Sequence, residues 1–386
     1  MRVLYLSHTS RMSGGEHSLL ALISGLPEDV TPILACPPGL LANTARARGV
    51  ATVRVPGTDG SLKLHPRHTT RTLIDLMRAG LAVRRIASAE KVDVVHANSV
   101  RAGLAAVLAE RLGGPPAVVH VRDCPPEGRV ANLTLRMIGK GASLAVANSE
   151  HTRRRFETAC DSASLKVAYS PVDLARFNPR GVNRARERAR LGIEPSTFVM
   201  TLVAQLTPWK AQDDAVRMAA RLKSSHPDIR LLLVGSAKFV SSATRHDNRL
   251  FVRQLGELIE SLDMQGEVLL MGERSDVPEI LAASDVLLLP SWEEPFGRSV
   301  VEAMAMGVPV LATSVGGPAE AMDGAGVLLP PRDPDAWVGP LEELLQDPER
   351  RTTMGRRGRE RAVAQFGVDG HVRQMIGEYE QLLASS

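Results

Sequence analysis

The chain has 386 residues, 44% hydrophobic and 23% charged, which suits two soluble domains and argues against a disordered or fibrous protein. No apolar run approaches the roughly 20 residues of a membrane-spanning helix, so no integral membrane contact is expected. The net charge of +4 is uneven, with 22 Lys and Arg against 14 Asp and Glu in residues 1–175, while aromatics at 3% and no basic–aromatic stripe argue against nucleic acid.

The basic first part suits a plain solvated face, an anionic substrate, or peripheral contact with an acidic membrane surface. The chain opens on a strand at residues 3–6 and not on a signal peptide. Cys36, Cys124 and Cys160 are odd in number and lack metal spacing, which points to a reduced, cytoplasmic setting. The excess of Arg over Lys, with abundant Ala, suggests a GC-rich bacterial origin.

Strand candidates at residues 3–6, 31–35, 92–96, 117–120 and 144–147 alternate with helices at 18–25, 71–89, 103–111 and 152–159. This is the pattern of a doubly wound parallel sheet, whose ligands bind beyond the carboxyl ends of the strands. The loop after the first strand holds Gly14-Gly15-Glu16 just before a helix. Paired glycines let a backbone approach a ligand closely, but the Walker lysine and the G-x-G-x-x-G spacing are missing. His96 and His120 end strands on the same rim, where a lone histidine is either structural or a pocket residue. Asp123 is either a helix cap or a partner for an acceptor hydroxyl. Residues 58–70 are polar and form either a loop or a lid.

The second half repeats the alternation, with strands at residues 198–203, 230–234, 268–271, 286–289 and 310–312. Helical material follows at 342–366 and 371–383. The stretch after the fourth of these strands reads Pro-Ser-Trp-Glu-Glu-Pro-Phe-Gly-Arg-Ser-Val-Val-Glu, with Glu294 and Glu302 separated by seven residues. Pro295-Phe296-Gly297 makes a turn and Ser299 opens a helix. A strand–turn–helix of this kind aims backbone N–H groups and the positive helix end at an anion.

Together with the following run through Gly316, Gly317 and Glu320, this stretch resembles the E-x7-E signature of the family 4 retaining glycosyltransferases over about thirty residues. The resemblance implies an α/β GT-B fold, two Rossmann-like doubly wound parallel-sheet domains facing across a cleft. Residues 1–178 are then the acceptor domain and 179–366 the nucleotide-sugar domain. Residues 367–386 are a helix crossing back to the first domain.

By the same resemblance, Glu294 orients the donor sugar, Glu302 binds the nucleotide ribose, and Lys210 grips the phosphates. Phe296, Gly297, Arg298 and Ser299 line the donor, with Gly14 and Gly15 against its pyrophosphate. Arg274 follows the strand where the family seats the base, and His120 takes the place of the histidine near the sugar. Glu16, His96 and Asp123 are the acceptor candidates. Gln205 stands where the family has an arginine, so one cation of the phosphate clamp is missing. Arg298 is either its replacement or a solvent-facing residue.

Asp333-Pro334-Asp335 reads as a turn and helix cap, so neither a catalytic metal nor a cofactor is expected beyond the co-substrate. The expected reaction moves a hexose or N-acetylhexosamine, with retention, from a UDP-sugar to a small acceptor such as an aminocyclitol of antibiotic biosynthesis. The alternatives are a lipid-linked or cell-envelope acceptor, a sugar-nucleotide 2-epimerase on the same fold, and an inactive nucleotide-sugar-binding subunit.

Overall fold

Unbroken runs of Val, Leu, Ile and Ala suit strands covered on both faces, the environment of a parallel sheet. In the computed structural model, which describes residues 1–57, 66–124, 128–160, 165–238 and 246–385, these runs form two all-parallel sheets. Each lies in its own compact unit, one of Met1–Pro171 with Val368–Ser386 and the other of Val172–Gly367.

The first sheet comprises β1 (Arg2–Leu6), β2 (Thr31–Cys36), β3 (Ala51–Arg54), β4 (Val94–Ala97), β5 (Ala117–Val121), β6 (Leu144–Ala147) and β7 (Leu165–Val167), in the order 3-2-1-4-5-6-7. Its helices are α1 (Gly14–Ser24), α2 (Leu40–Ala47), α3 (Pro66–Ala89), α4 (Val100–Arg111), α5 (Arg129–Gly141) and α6 (Glu150–Glu157). The strand order reverses between β1 and β4, so the crevice beyond their carboxyl ends receives the loop that carries Gly14. Period-two alternation sends Leu4, Leu6, Val119 and Val121 to the core under α3, α4 and α5. Val3, Tyr5, Val94 and Val118 face the other way, toward α1 and α2.

The second sheet comprises β8 (Phe198–Val203), β9 (Ile229–Val234), β10 (Val268–Gly272), β11 (Val286–Leu289), β12 (Val310–Thr313) and β13 (Val327–Leu329), ordered 10-9-8-11-12-13. Around it lie α7 (Arg184–Arg190), α8 (Gln212–Ser225), α9 (Asn248–Ser261), α10 (Val277–Ala283), α11 (Arg298–Ala305), α12 (Pro318–Met322), α13 (Asp335–Gln346) and α14 (Pro348–Gln365). Here the order reverses between β8 and β11, which brings the loops of Lys210 and Glu294 to one edge. The last helix, α15 (Val368–Ala384), packs in the first unit through Val372, Met375 and Tyr379.

At the amino-terminal edge of the second sheet, Asp285 accepts from Arg188 and Arg184, each at 2.6 Å, and from the Val199 N–H at 2.8 Å. The buried Arg188 also donates to the carbonyls of Ala283 and Thr197, which fastens α7 to the sheet.

Two expectations change. The helical stretch at 342–366 is two helices, because Asp347 caps the Arg350 N–H at 2.8 Å and Pro348 starts a new first turn. Residues 58–65 of the polar stretch lie outside the described residues, and 66–70 belong to α3.

Candidate functional site

In the second unit, β11 ends at Leu289 and the chain turns back into α11 through Gly297, whose φ of +91° is a left-handed cap that glycine adopts without strain. Gly297 has no side chain with which to cap α11, and of the first-turn N–H groups that of Val300 donates to the Gly297 carbonyl at 2.9 Å.

Glu294 is buried in front of this helix end, and its carboxylate accepts from Lys210 and, at 3.3 Å, from Ser291 Oγ. Lys210 arrives from the short turn after β8, its ammonium 4.0 Å from the centre of the Trp209 ring. The Trp292 N–H donates to the Trp209 carbonyl at 2.9 Å and ties the two loops together. Glu302, one turn further down α11 and buried, pairs with Arg298 at 2.8 Å. Each sequence-identified acid is thus neutralised by a sequence-identified cation, beside a helix N-terminus able to receive an anion. Phe296 and Ser299 lie on the same turn, Phe296 buried and Ser299 partly exposed.

The loop after β12 holds this turn in place. Gly316, at φ +96°, lies so close that a Cβ there would stand 2.0 Å from the Glu294 carbonyl oxygen. Gly317 donates its N–H to that same oxygen at 2.8 Å. Only glycines allow the two backbones to touch in this way.

Gln205 is half-buried, and its carbonyl is held by Gln212 Nε2 at 2.9 Å. Arg274 follows β10 and pairs with a neighbouring carboxylate. Its guanidinium folds back on Asp276 in two hydrogen bonds of 2.7 and 2.6 Å, and it holds that carboxyl well below the usual range. Asp333 receives the Ala336 N–H at 3.3 Å as a cap, and Asp335 pairs with Arg221.

In the first unit, Gly14 and Gly15 open α1, with Gly14 exposed and the Gly15 carbonyl accepting from Asn98 Nδ2 at 3.1 Å. Glu16, expected as an acceptor candidate, belongs to the first turn of α1. It is buried and turned back on Ser13, whose N–H it accepts at 3.1 Å, in a capping box. Burial raises its pKa above the ordinary carboxylate value.

His96 and His120 are both fully buried, so neither ring reaches the surface. His96 Nδ1 meets the Tyr379 hydroxyl at 2.6 Å. The His120 ring lies between those of His96 and His371, at 5.6 and 5.9 Å. Burial, then the charge of Arg122, keeps all three imidazoles neutral, with His371 lowered to about 3. Asp123 stays exposed at the carboxyl end of β5.

Arg122 is the residue that sequence reasoning passed over. Buried at the end of β5, it donates to Asn98 Oδ1 at 2.8 Å and Ser170 Oγ at 3.2 Å, and lies 3.3 Å from His120 Nδ1. Through Asn98 it braces the glycine loop. The available signal was its place two residues after His120, on the same side of the strand.

The model for glycosyl transferases group 1 matches residues 183–361, and that for glycosyltransferase family 4 matches 12–176. A protein of Kineococcus radiotolerans named D-inositol 3-phosphate glycosyltransferase is 34% identical over 62% of this chain and 57% of its own length. A Corynebacterium glutamicum protein named GDP-mannose-dependent monoacylated alpha-(1-6)-phosphatidylinositol monomannoside mannosyltransferase is 32% identical over 60% of this chain and 61% of its own. The matched region therefore spans about three fifths of each relative's length. The crystal structure of Anabaena Alr3699/HepE in complex with UDP-glucose superposes with a TM-score of 0.83 over 100% of both chains at 23% identity, a likeness of fold. The two family models leave only residues 177–182 between them, and the chain belongs to the glycosyltransferases of the GT-B fold.

Proposed function

We propose that the protein moves a hexose or N-acetylhexosamine, with retention of anomeric configuration, from a UDP-linked donor to a hydroxyl of a small polyol of the cyclitol class. The observation that carries this reading is the pair of cation–carboxylate contacts, Lys210 with Glu294 and Arg298 with Glu302, at the open end of α11. A diphosphate arriving there competes with the glutamates for both cations. Each exchange frees carboxylate oxygens, those of Glu294 for hydroxyls of the sugar and those of Glu302 for the ribose.

As the glycosidic bond breaks, Lys210, Arg298 and the helix end neutralise the charge gathering on the leaving diphosphate. Gln205 adds at most a neutral hydrogen bond, and Arg298 takes over the missing charge. With two cations and a helix end in place, the reaction requires no metal, and chelator leaves the rate unchanged. His120 and Glu16 have no part in this scheme, since one packs against histidines and the other caps its own helix.

The cyclitol class is supported by the name of the Kineococcus relative and by the basic balance of residues 1–175, which suits a phosphorylated acceptor. A lipid-borne acceptor is the second reading, supported by the acylated acceptor in the name of the Corynebacterium relative.

The test incubates the protein with UDP-glucose and UDP-N-acetylglucosamine, each with and without inositol phosphate. Products are read by mass spectrometry and anomeric configuration by NMR. A glycoside of unchanged configuration, formed only when acceptor is present, is the expected product. Conversion of the donor to its 2-epimer without acceptor would replace this reading with that of an epimerase.

A further inference from the structure

The outer face of helix α5 combines segregated charge with exposed apolar side chains. Its inner side, Leu135 and Ile138 with Ala131 and Thr134, is buried, the two large residues in the core under the sheet. Its outer face exposes Arg129, Leu133, Arg136, Met137 and Lys140, with Leu133 58% and Met137 44% accessible.

At about 100° per residue, Arg129, Arg136 and Lys140 fall within an arc of about 40°, and Leu133, Met137 and the half-buried Val130 fill the next 60° or so. The outer face is thus split lengthwise into a cationic edge and an apolar edge. The helix contains no acidic residue. On the neighbouring α6, Glu150 and Glu157 are both held by Arg153, at 2.6 Å each. Arg136 is partly committed, donating through Nε to the Ala159 carbonyl at 2.8 Å. Arg129 and Lys140 make no ion pair among the described residues.

We infer that this face of α5 docks the protein on an anionic lipid bilayer. Leu133 and Met137 enter the headgroup–acyl boundary, while Arg129, Arg136 and Lys140 meet lipid phosphates. The charge pattern selects this occupant. A protein partner or a second copy gains nothing from an acid-free cationic edge unless it brings acids of its own, whereas an anionic leaflet offers phosphates along the whole helix. The helix starts just past the carboxyl end of β5, so docking holds the edge of the first unit that carries Asp123 and the glycine loop close to the membrane. The inference does not depend on which acceptor is used.

The test floats the full chain with phosphatidylcholine vesicles, with and without phosphatidylglycerol. The wild type binds the anionic vesicles only, and binding falls as salt rises from roughly 0.1 to 0.5 M. Arg129→Glu with Lys140→Glu weakens it by at least about fivefold per charge removed. Leu133→Ser with Met137→Ser weakens it at low salt as well. A control of equal charge change, Arg249→Glu with Arg253→Glu on the exposed side of α9, leaves binding unchanged.

Melting temperature and nucleotide binding stay at wild-type values in every variant, which separates this inference from the proposed reaction. Three results each overturn it. These are no vesicle binding by the wild type, equal loss in the α9 control, or a wild-type dimer in sedimentation velocity that the α5 variants dissolve.

Discussion

Replacing Gly316 by alanine tests whether the loop after β12 positions the candidate site. Two costs are separable here. A non-glycine residue at positive φ costs about 1–2 kcal/mol, offset in part by the lower entropy of the unfolded chain, for a net near 1 kcal/mol. That net cost alone applies to Gly324→Ala, where φ is +82° and nothing lies within 4 Å of the new Cβ. At Gly316 the new Cβ would stand 2.0 Å from the Glu294 carbonyl oxygen, backbone against backbone, so one loop has to move.

Overpacking of that kind adds about 1–3 kcal/mol, for a total of roughly 2–4 kcal/mol. All three tryptophans, Trp209, Trp292 and Trp337, lie in the second unit, so fluorescence reports its unfolding directly. At about 2–4 °C per kcal/mol, Gly324→Ala lowers the midpoint by a few degrees and Gly316→Ala by at least twice as much. Because the displaced backbone carries Glu294, Gly316→Ala also weakens UDP binding, whereas Gly324→Ala does not. Equal melting and equal UDP affinity in the two variants would refute the reasoning.

Two further outcomes follow from buried charge. Asp285→Ala leaves Arg188 buried without its carboxylate and destabilises the second unit by about 3–5 kcal/mol, read as a lower urea midpoint in tryptophan fluorescence. The neutral histidines of the first unit impose a pH dependence. Below about pH 6.5 the unfolded chain takes up protons that buried His96, His120 and His371 refuse, so stability falls toward acid by up to about 1.4 kcal/mol per pH unit for each histidine. The effect is absent above that pH and, for His371, ends near its folded value of about 3. Hydrogen exchange of α15 at about pH 5 and pH 7.5 measures it, and His371→Leu reduces the difference.

Much of the fold is visible in the residue pattern, because parallel strands buried on both faces are written as plain apolar runs. Phe198–Val203 and Val286–Leu289 carry the bounds expected of them. The edge strands β3, β7 and β13 escape notice, being three or four residues long and partly exposed. Helix α5 was hidden by the apolar residues on its outer face, which blur the period, and by Gly128, which offers no side-chain cap.

In the site, Glu294, Glu302, Lys210, Gly297 and Arg298 are local in sequence or typical in spacing, so they could be found. The pairing of Lys210 with Glu294 could not, since it depends on two loops 84 residues apart, whereas Arg298 and Glu302 stand four residues apart on one helix. The fate of His96 was equally hidden, because the side chain that covers it, Tyr379, is 283 residues away. Arg122 shows the opposite case, a residue whose strand position was plain but whose reach to Asn98 and the glycine loop only the folded unit reveals.

The central claim is that the open end of α11, with its two exchangeable ion pairs, seats a nucleoside diphosphate. Thermal melting of the wild type and Glu302→Ala with UDP, GDP, ADP and dTDP, each alone and as common sugar conjugates, tests it most directly. A nucleotide at 100 times its dissociation constant adds about 2.7 kcal/mol, a clear rise in melting temperature. The account predicts that UDP and its sugars produce that rise in the wild type and that the rise shrinks in Glu302→Ala. Wild-type melting indifferent to all four nucleotides, or an unchanged rise in the variant, would contradict it.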